Sequence, residues 1–484
     1  MKKCFVETKH TVAMIVCIIW IILFSISLFP GFTVLAVFVV AVAPVLILAW
    51  YFFFDPGIFL FLTVFFVPLS VKVDLSGGSF VTFPSEVMAV MLAGYLILNI
   101  STFRVPGKRI LSHPVFLLLL VYLLWLVITS ALGEIPGVSF KRTFIQALFF
   151  IVFYFLFLTR FDRPVNIVMF YIFYALGLVV PIINGMVWHS QYNFNPQASY
   201  YMPQPFFIEH TVYGATIAFV IPMLIYLVFF KNGFVLTRVR RWRLAVLLLI
   251  CLTGEFLSFS RGAWLSLMVL PFFILVLKLK LPQMVLFAGL LVLLVLFLLN
   301  LDAVLKLVSH NEAQSNRGNL KEQIESVTNI HSDISNLERI NRWECAIRMF
   351  ESRPVTGYGV GTYQFVYGRF QVKDEMTRIS TYHGEKGNAH SEYLGFLAET
   401  GLPGLIIYIC LLFSVISTAT SIIYRIRDCM IRDLAFVVLL SLLTFYFHTI
   451  FNGFIETDKV GSLFYGSLAA ITALDIYYYR RETG

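Results

Sequence analysis

The sequence predicts an all-α polytopic membrane protein with about 14 transmembrane helices, in a range of roughly 11 to 14. Two features of its composition support this: 59% of the 484 residues are hydrophobic and only 13% are charged, with a mean hydropathy of +0.85. The third observation is that apolar runs recur near the roughly 20 residues that a helix needs to cross a bilayer. A soluble chain would have to bury all this apolar surface in its own core, so lipid is the expected solvent.

The predicted spans follow one another along most of the chain. They lie near residues 11–30, 32–54, 57–70, 85–100, 114–132, 143–159, 164–186, 208–230, 242–259, 262–278, 282–300, 404–424, 434–451 and 460–479. The weakest is 57–70, which is short for a perpendicular helix and is compatible with a re-entrant segment or a merger with its neighbour.

The distribution of cations predicts the orientation. Lys and Arg gather in the loops on the side of the N-terminus, as in "RVRRWR" at 238–243. The short loops on the other side hold few cations, namely Lys72, Lys141, Arg142, Arg261 and Lys459. Since cytoplasmic loops are enriched in Lys and Arg, both termini are predicted to be cytoplasmic. The net charge of +9 reflects this bias, so no nucleic-acid partner is expected.

The same assignment of loops to the two sides of the membrane divides the chain into three parts. Residues 1–300 form a membrane body of about 11 spans, 301–403 form an extracytoplasmic loop domain, and 404–484 supply three closing helices and a short cytoplasmic tail. The first span lacks a small-residue cleavage site and is predicted to be an uncleaved signal anchor. Cys345 alone falls in the outer segment, which excludes a disulfide framework there, and no Cys/His spacing suggests zinc.

The outer segment contains an amphipathic helix, "NLERINRWECAIRMFESRP", with apolar residues at three- and four-residue spacing. Asn336 is its predicted N-cap, and Pro354 ends it. Arg339 and Arg342 lie one turn apart, so both can point to the same side. A glycine-rich stretch, Gly357-x-Gly359-x-Gly361, follows; its spacing and context are not those of a dinucleotide site. The simpler interpretation is a surface helix that ends in a tight turn.

Two further outer loops carry cations beside apolar spans. Arg261 lies in "LSFSRGAWLSL", and Lys141 and Arg142 lie in the short loop "VSFKRTF". The guanidinium group matches phosphate oxygens with a planar pair of donors, which favours an anion clamp. The alternative for Arg261 is an interfacial anchor whose side chain reaches out of the lipid.

A histidine stands near the predicted membrane boundary in "NAHSEYLGFLAETGLPG", residues 388–404. His390 can be neutral near pH 7 and accept a proton, and Ser391 and Glu392 are candidates to orient it. Glu209 and His210, in "FFIEHTVYG", lie at the mouth of another span, where Glu209 could pair with an arginine or bind a sugar hydroxyl. The simpler interpretations are a helix cap or packing residue for His390 and a hydrated helix N-terminus for Glu209.

Taken together, these residues favour a cationic pocket on the outer face. Such a pocket suits a lipid-linked phosphate or diphosphate, whose tail stays in the bilayer. Arginines would hold the negative charge of the leaving group while a neutral histidine takes the proton of an acceptor hydroxyl. That chemistry requires neither a metal nor a cofactor.

Three motifs carry a resemblance to the O-antigen ligase and O-antigen polymerase superfamily of bacterial membrane glycosyltransferases. His390 and Ser391, nine residues, and then Gly401-Leu-Pro-Gly404 match the ligase signature of His, Asn/Ser/Gln, nine residues and Gly-x-x-Gly/Thr/Tyr. "SRGAW" around Arg261 resembles the second marker. "R-x-x-x-W-x-x-A" from Arg339 to Ala346, with "P-x-x-G-x-G-x-G" from Pro354 to Gly361, resembles the third. The motifs cover about 250–404.

The resemblance implies an inverting, metal-independent glycosyltransferase of the bacterial cytoplasmic (inner) membrane. It uses an undecaprenyl-diphosphate-linked glycan as donor and a glycan, lipid or protein as acceptor, with other glycan-assembly proteins as candidate partners. By resemblance, His390 is the base, and Arg261 and Arg339 clamp the diphosphate. Arg342 is a substitute for Arg339, and Lys141 and Arg142 are matched by location alone.

Two other classes of function remain open. The first is a transporter, similar to relatives linked to inorganic carbon uptake. Against it, few ionisable residues lie mid-span and no inverted repeat is visible. The second is a non-catalytic partner in a glycan-assembly complex, for which His390 would be dispensable. Neither the choice between polymerase and ligase nor the acceptor follows from the motifs.

Overall fold

The structure is a computed structural model that describes residues 56–75, 79–99, 108–230, 237–281, 334–373, 376, 380 and 387–479. The predicted spans 11–30, 32–54 and 282–300 lie outside the described residues. The chain divides into two compact units, Met1–Leu62 and Thr63–Gly484. The first is described only over 56–62, within the helix Pro56–Phe66, and the candidate site described below lies in the second.

The elements follow in this order. The N-terminal part contains α1 (Pro56–Phe66), β1 (Val71–Leu75), β2 (Ser79–Phe83), α2 (Ser85–Leu98), α3 (Lys108–Leu111), α4 (Pro114–Leu132), α5 (Pro136–Arg160) and α6 (Pro164–Ser190). The middle contains α7 (His210–Phe229), α8 (Arg238–Leu257), α9 (Arg261–Lys278), α10 (Ile334–Ser352) and α11 (Tyr363–Val366). The C-terminal part contains α12 (Glu392–Arg425), α13 (Cys429–His448) and α14 (Asp458–Tyr479).

The all-α, multi-pass membrane architecture is confirmed. Among the described residues, 8 helices are long and apolar enough to cross a membrane: α4, α5, α6, α7, α9, α12, α13 and α14. The total of about 14 spans stays a prediction. The runs predicted near 57–70 and 85–100 form helices of 11 and 14 residues, shorter than the roughly 20 residues of a perpendicular span.

A two-stranded antiparallel hairpin joins α1 to α2, and the all-α prediction missed it. Val71 pairs with Phe83, and Leu75 with Ser79. "VKVDL" and "SFVTF" are rich in β-branched and aromatic residues, and "SGG" between them supplies turn residues. This pattern predicts a hairpin once the segment is read outside the apolar runs.

Helix α14 lies at the centre of the bundle, because every residue of Asp458–Leu474 is buried. Small residues let its neighbours approach closely: a Cβ added to Gly466 would lie 2.2 Å from the Phe170 ring of α6. Polar pairs tie it to α5 and α6, with Tyr465 donating to Gln146 Oε1 at 2.8 Å and Tyr171 pairing with Ser467 at 2.7 Å.

One end of the bundle, which we call the site end, brings together the C-terminal ends of α4 and α13 and the N-terminal end of α9. Gly133, after α4, packs against Gly359, and Gly262, in the first turn of α9, packs against His448 at the end of α13. At the opposite end, Arg425 hydrogen-bonds the Tyr479 hydroxyl at 3.4 Å. The loops at the site end are those that the distribution of cations predicts to be extracytoplasmic, and that side stays a prediction.

Three local expectations need correction. Lys141 and Arg142 lie within α5, which begins at Pro136 rather than near 143, because the first turn starts with a proline at a position that suits it. Lys459 lies inside α14 and is buried. Asn336 lies inside α10, which begins two residues earlier, although the helix does end before Pro354 as predicted.

Candidate functional site

Helix α10 and the glycine-rich loop pack against the start of α12. Cys345, Ala346 and Met349 form the buried face of α10, and they pack with Tyr358 of the glycine-rich loop and Tyr363 after it. The aromatic and small residues of "RWECAIRMF" therefore build a core beneath the outer segment. This core positions the polar residues on the remaining faces of α10.

The glycine loop fits a break in α12 at Gly401, whose φ of 69° and ψ of −176° are not helical. The amide of Gly359 donates to the Glu399 carbonyl at 2.8 Å, and the amide of Leu402 donates to the Pro354 carbonyl at 2.9 Å. A Cβ added to Gly357 would lie 2.3 Å from the Glu399 carbonyl carbon. These contacts are between backbone atoms. The stretch Gly357-x-Gly359-x-Gly361 and the break at Gly401 therefore pack together as one unit, which we call the glycine joint.

The two glutamate side chains of "HSEYLGFLAET" accept hydrogen bonds from backbone amides. Glu392 Oε2 accepts from the amides of Phe454 and Ile455 at 2.6 and 3.1 Å. Glu399 accepts from the amides of Gly361 and Tyr363 at 2.9 and 2.8 Å. Both acids thus fasten a loop of the site end to α12.

Ser391 is the N-cap of α12, because its hydroxyl accepts from the amide of Leu394 at 3.5 Å. The family signature places Asn, Ser or Gln here, and two of these three residue types are favoured N-caps. These contacts engage the side chains of Ser391 and Glu392 with backbone amides, and a role for them in orienting the His390 imidazole stays a prediction.

His390 lies in a strained turn just before α12. Its φ is 48°, a left-handed conformation that is uncommon for a residue with a side chain. Asn388 Oδ1 accepts from its amide at 3.0 Å, and Trp343 Nε1 donates to its carbonyl at 3.1 Å. The conformation is therefore held by α10 on one side and by the Asn388 turn on the other, as is typical of functional positions.

Arg342 supports this turn through protein contacts. Its Nε donates to Glu338 Oε1 at 2.9 Å, and its Nη1 donates to the Asn388 carbonyl at 3.2 Å. Arg342 and Glu338 are both buried, with 5% and 4% of their surface exposed. Arg342 and Arg339 therefore differ in environment, since Arg339 is only half-buried.

Arg339 is a cation that acts electrostatically on three histidines at the site end. Its charge acts on His210, His390 and His448. Arg261, the first residue of α9, also acts on His210. The structure thus brings Arg261, Arg339, His210 and His390 into one group, which we call the histidine–arginine cluster.

The other predicted residues lie elsewhere on the site end. Arg142 faces Glu456, with Nε 3.6 Å from Oε2, and packs against Gly361. Lys141, on the same turn of α5, is exposed. Glu209 is the exposed residue before α7, and its carboxylate accepts from the Thr211 hydroxyl at 3.2 Å. These three contact different partners from those of the histidine–arginine cluster.

Burial, together with the charges of Arg342 and Arg339, lowers the pKa of His390 to about 3. A low-polarity environment and nearby cations both disfavour the imidazolium. His390 is therefore neutral at physiological pH in the unliganded protein, as a proton acceptor must be.

The sequence reading missed His448, which extends the cluster. It lies in "FYFHTIFNG" at the end of a predicted span, and 1% of its surface is exposed. An ionisable residue inside an apolar span is a signal that it faces the protein interior. Within the described residues, no group of three or more His, Cys, Asp or Glu side chains is arranged to hold a metal ion.

Comparison with known proteins gives one match. Residues 246–409 match the family model described as O-antigen ligase. The segment contains Arg261, Arg339, Arg342, His390 and the glycine joint, and it leaves His210 and His448 outside. No curated protein matches the chain. This O-antigen ligase domain, together with the membrane-spanning helices, supports a membrane glycan-assembly enzyme of the O-antigen ligase and polymerase type.

Proposed function

We propose that the protein is an inverting glycosyltransferase that transfers or polymerises an undecaprenyl-diphosphate-linked glycan on the outer face of the bacterial cytoplasmic membrane. The observation that carries the proposal is the histidine–arginine cluster, in which Arg339 acts on both His390 and His210. It supplies a neutral base and cations at one end of the bundle. The family match supports a lipid-linked glycan donor.

The proposed reaction is a single displacement. An acceptor hydroxyl oxygen forms a bond to the anomeric carbon of the donor glycan, and its proton passes to His390. The bond between that carbon and the diphosphate oxygen breaks, and the lipid diphosphate leaves with the electron pair. Because attack and departure occur on opposite sides of the carbon, the anomeric configuration inverts. The proton on His390 is then lost to water.

Arg261 and Arg339 bind the diphosphate in this scheme. Guanidinium groups present fixed donors that match phosphate oxygens, and they stabilise the charge that grows on the leaving group. Arg342 is a positioning residue, because its guanidinium holds Glu338 and the carbonyl of Asn388. Lys141, Arg142 and Glu209 remain candidate substrate-binding residues on other parts of the site end.

The first test measures transfer in nanodiscs with one lipid-diphosphate-linked repeat unit, with products separated by size. We expect the wild type to form a ladder if it is a polymerase, or a single product with an added acceptor if it is a ligase. His390→Ala and His390→Asn should both abolish product. Asparagine is the stricter variant, because it tolerates a positive φ and so preserves the turn.

Normal product from a stably folded His390→Asn protein would remove His390 from the chemistry. If the wild type forms no product with any acceptor, the glycosyltransferase proposal fails. Uptake of a solute into vesicles would then be measured, to test the transporter alternative.

The arginine clamp has its own test. Arg261→Lys keeps the charge but loses the paired donors, so we expect weaker use of the donor. Arg432→Lys is the matched control, because Arg432 is a half-exposed arginine at the opposite end of the bundle. Equal donor KM values for the two variants would favour the interpretation of Arg261 as an interfacial anchor.

A further inference from the structure

His448 has two buried ring nitrogens with no hydrogen-bond partner among the described residues. The side chain is almost fully buried at the end of α13, and its ring meets Phe454 edge-on with centroids 5.2 Å apart. Buried polar atoms are nearly always hydrogen-bonded, because leaving them without a partner costs free energy. A histidine in this state indicates a ligand that is absent from the unliganded protein.

The imidazole is aimed at the first turn of α9. A Cβ added to Gly262 would lie 2.9 Å from His448 Nε2 and 3.6 Å from Asn452 Nδ2. Gly262 therefore packs closely against the Nε2 edge of the ring. It follows Arg261 directly, so the His448 ring adjoins both a guanidinium-bearing residue and a helix N-terminus, where the backbone dipoles favour an anion.

The charges around His448 indicate the chemistry of the ligand. Arg339 and His210 both act electrostatically on its ring. Arg339 and Arg261 act on His210 in turn. Of the two groups that act on the His448 ring, Arg339 is a cation and neither is an acid, which fits a phosphate oxygen better than a cation or an apolar group.

We propose that His448 is a binding residue for the diphosphate of the lipid-linked donor, to which Nε2–H donates a hydrogen bond at the N-terminus of α9. This rests on the proposed function for the identity of the ligand. It adds a histidine of α13, outside the matched segment, to the arginines of α9 and α10. The diphosphate would then bridge three helices that are distant in sequence.

The test measures binding rather than turnover. Farnesyl diphosphate is titrated against the full-length protein in nanodiscs, with farnesol as the uncharged control. His448→Leu removes both nitrogens, and we expect its affinity for farnesyl diphosphate to fall by about tenfold or more, as for a lost hydrogen bond to a charged group. His448→Gln restores a donor near the position of Nε2 and should bind within about threefold of the wild type.

Gly262→Ala keeps the His448 side chain but adds a Cβ 2.9 Å from its Nε2, which obstructs the approach of a phosphate oxygen, so we expect a similar loss of affinity. Gly137→Ala is the matched control: Gly137 is likewise the second residue of a helix at the site end, and a Cβ added there meets nothing within 4 Å. If His448→Leu fails to fold, the comparison of Gly262→Ala, Gly137→Ala and His448→Gln decides the question.

Wild-type affinity in His448→Leu, or in Gly262→Ala where the leucine variant does not fold, would overturn the proposal. Equal loss in His448→Gln and His448→Leu would also overturn it, because that pattern indicates a packing role. Failure of the proposed function can be distinguished from failure of this inference. If the protein binds farnesyl diphosphate through His448 but forms no product, only the glycosyltransferase proposal is refuted. Transfer that depends on His390 with unchanged binding in His448→Leu refutes only this inference.

Discussion

Replacing Gly401 with alanine tests whether the glycines of the histidine motif build the joint at α12. At φ 69° and ψ −176°, Gly401 occupies a region that is essentially restricted to glycine. A Cβ there would lie 2.2 Å from the Val355 carbonyl oxygen and 2.8 Å from that of Pro354. Both contacts are with backbone, which cannot rotate away as a flexible side chain would.

The expected cost has two parts. The backbone conformation alone costs an alanine about 1–3 kcal/mol. The contact with Val355 adds to this, because the loop must move and thereby loses the hydrogen bond from Leu402 to the Pro354 carbonyl. We therefore expect Gly401→Ala to destabilise the protein by more than about 3 kcal/mol, by adding a lost backbone hydrogen bond to the strain.

The assay is thermal unfolding of purified protein in nanodiscs, with Gly395→Ala as control. Gly395 lies on the same helix, six positions before Gly401, and its added Cβ would meet only the Ala389 Cβ, at 3.9 Å. We expect that variant to melt close to the wild type. Equal melting temperatures for Gly401→Ala and Gly395→Ala would refute the argument that the motif glycine is architectural.

Two predictions concern the supports of His390. Glu338→Gln removes one charge of a buried pair, so we expect a loss of about 3–5 kcal/mol in thermal unfolding. Glu344→Gln breaks the more exposed Arg348 pair of the same spacing and should cost less than about 1 kcal/mol; equal losses would contradict the difference in burial. Since burial and Arg342 lower the pKa of His390 from 6.5 to about 3, its contribution to stability is complete above pH 6.5 and declines as the pH falls towards 3. The acid limb of kcat/KM should therefore lie well below pH 6.5. A limb at pH 6.5 or above would show that His390 is protonated at that pH in the free enzyme, which would contradict the lowered pKa.

The histidine motif shows where sequence reasoning succeeded. The spacing from His390 to Gly404 predicted the family, and the match over 246–409 confirms it. The motif did not reveal the structural role of each residue in it. Glu392 and Glu399 hold backbone amides of loops at 454–455 and 361–363, and partners that distant in sequence have no local signature.

Helix geometry limited the prediction for Arg339 and Arg342. Residues one turn apart share a face, so the sequence could not separate them. Burial separates them in the fold, because Arg342 meets Glu338 and Asn388 whereas the charge of Arg339 reaches three histidines. His448 was missed for a related reason: a single histidine within an apolar run carries no motif.

The sequence by itself determined the membrane class, most of the long helices and the family, because hydropathy over some 20 residues and motif spacing are properties of a local stretch. The tertiary structure alone decided which polar groups meet. The predicted outer loops converge at one end of the bundle, and that packing brings Arg261, Arg339, His210, His390 and His448 together from five helices or helix ends. Their proximity depends on the packing of α14 and on the glycine joint, which are contacts between distant parts of the chain.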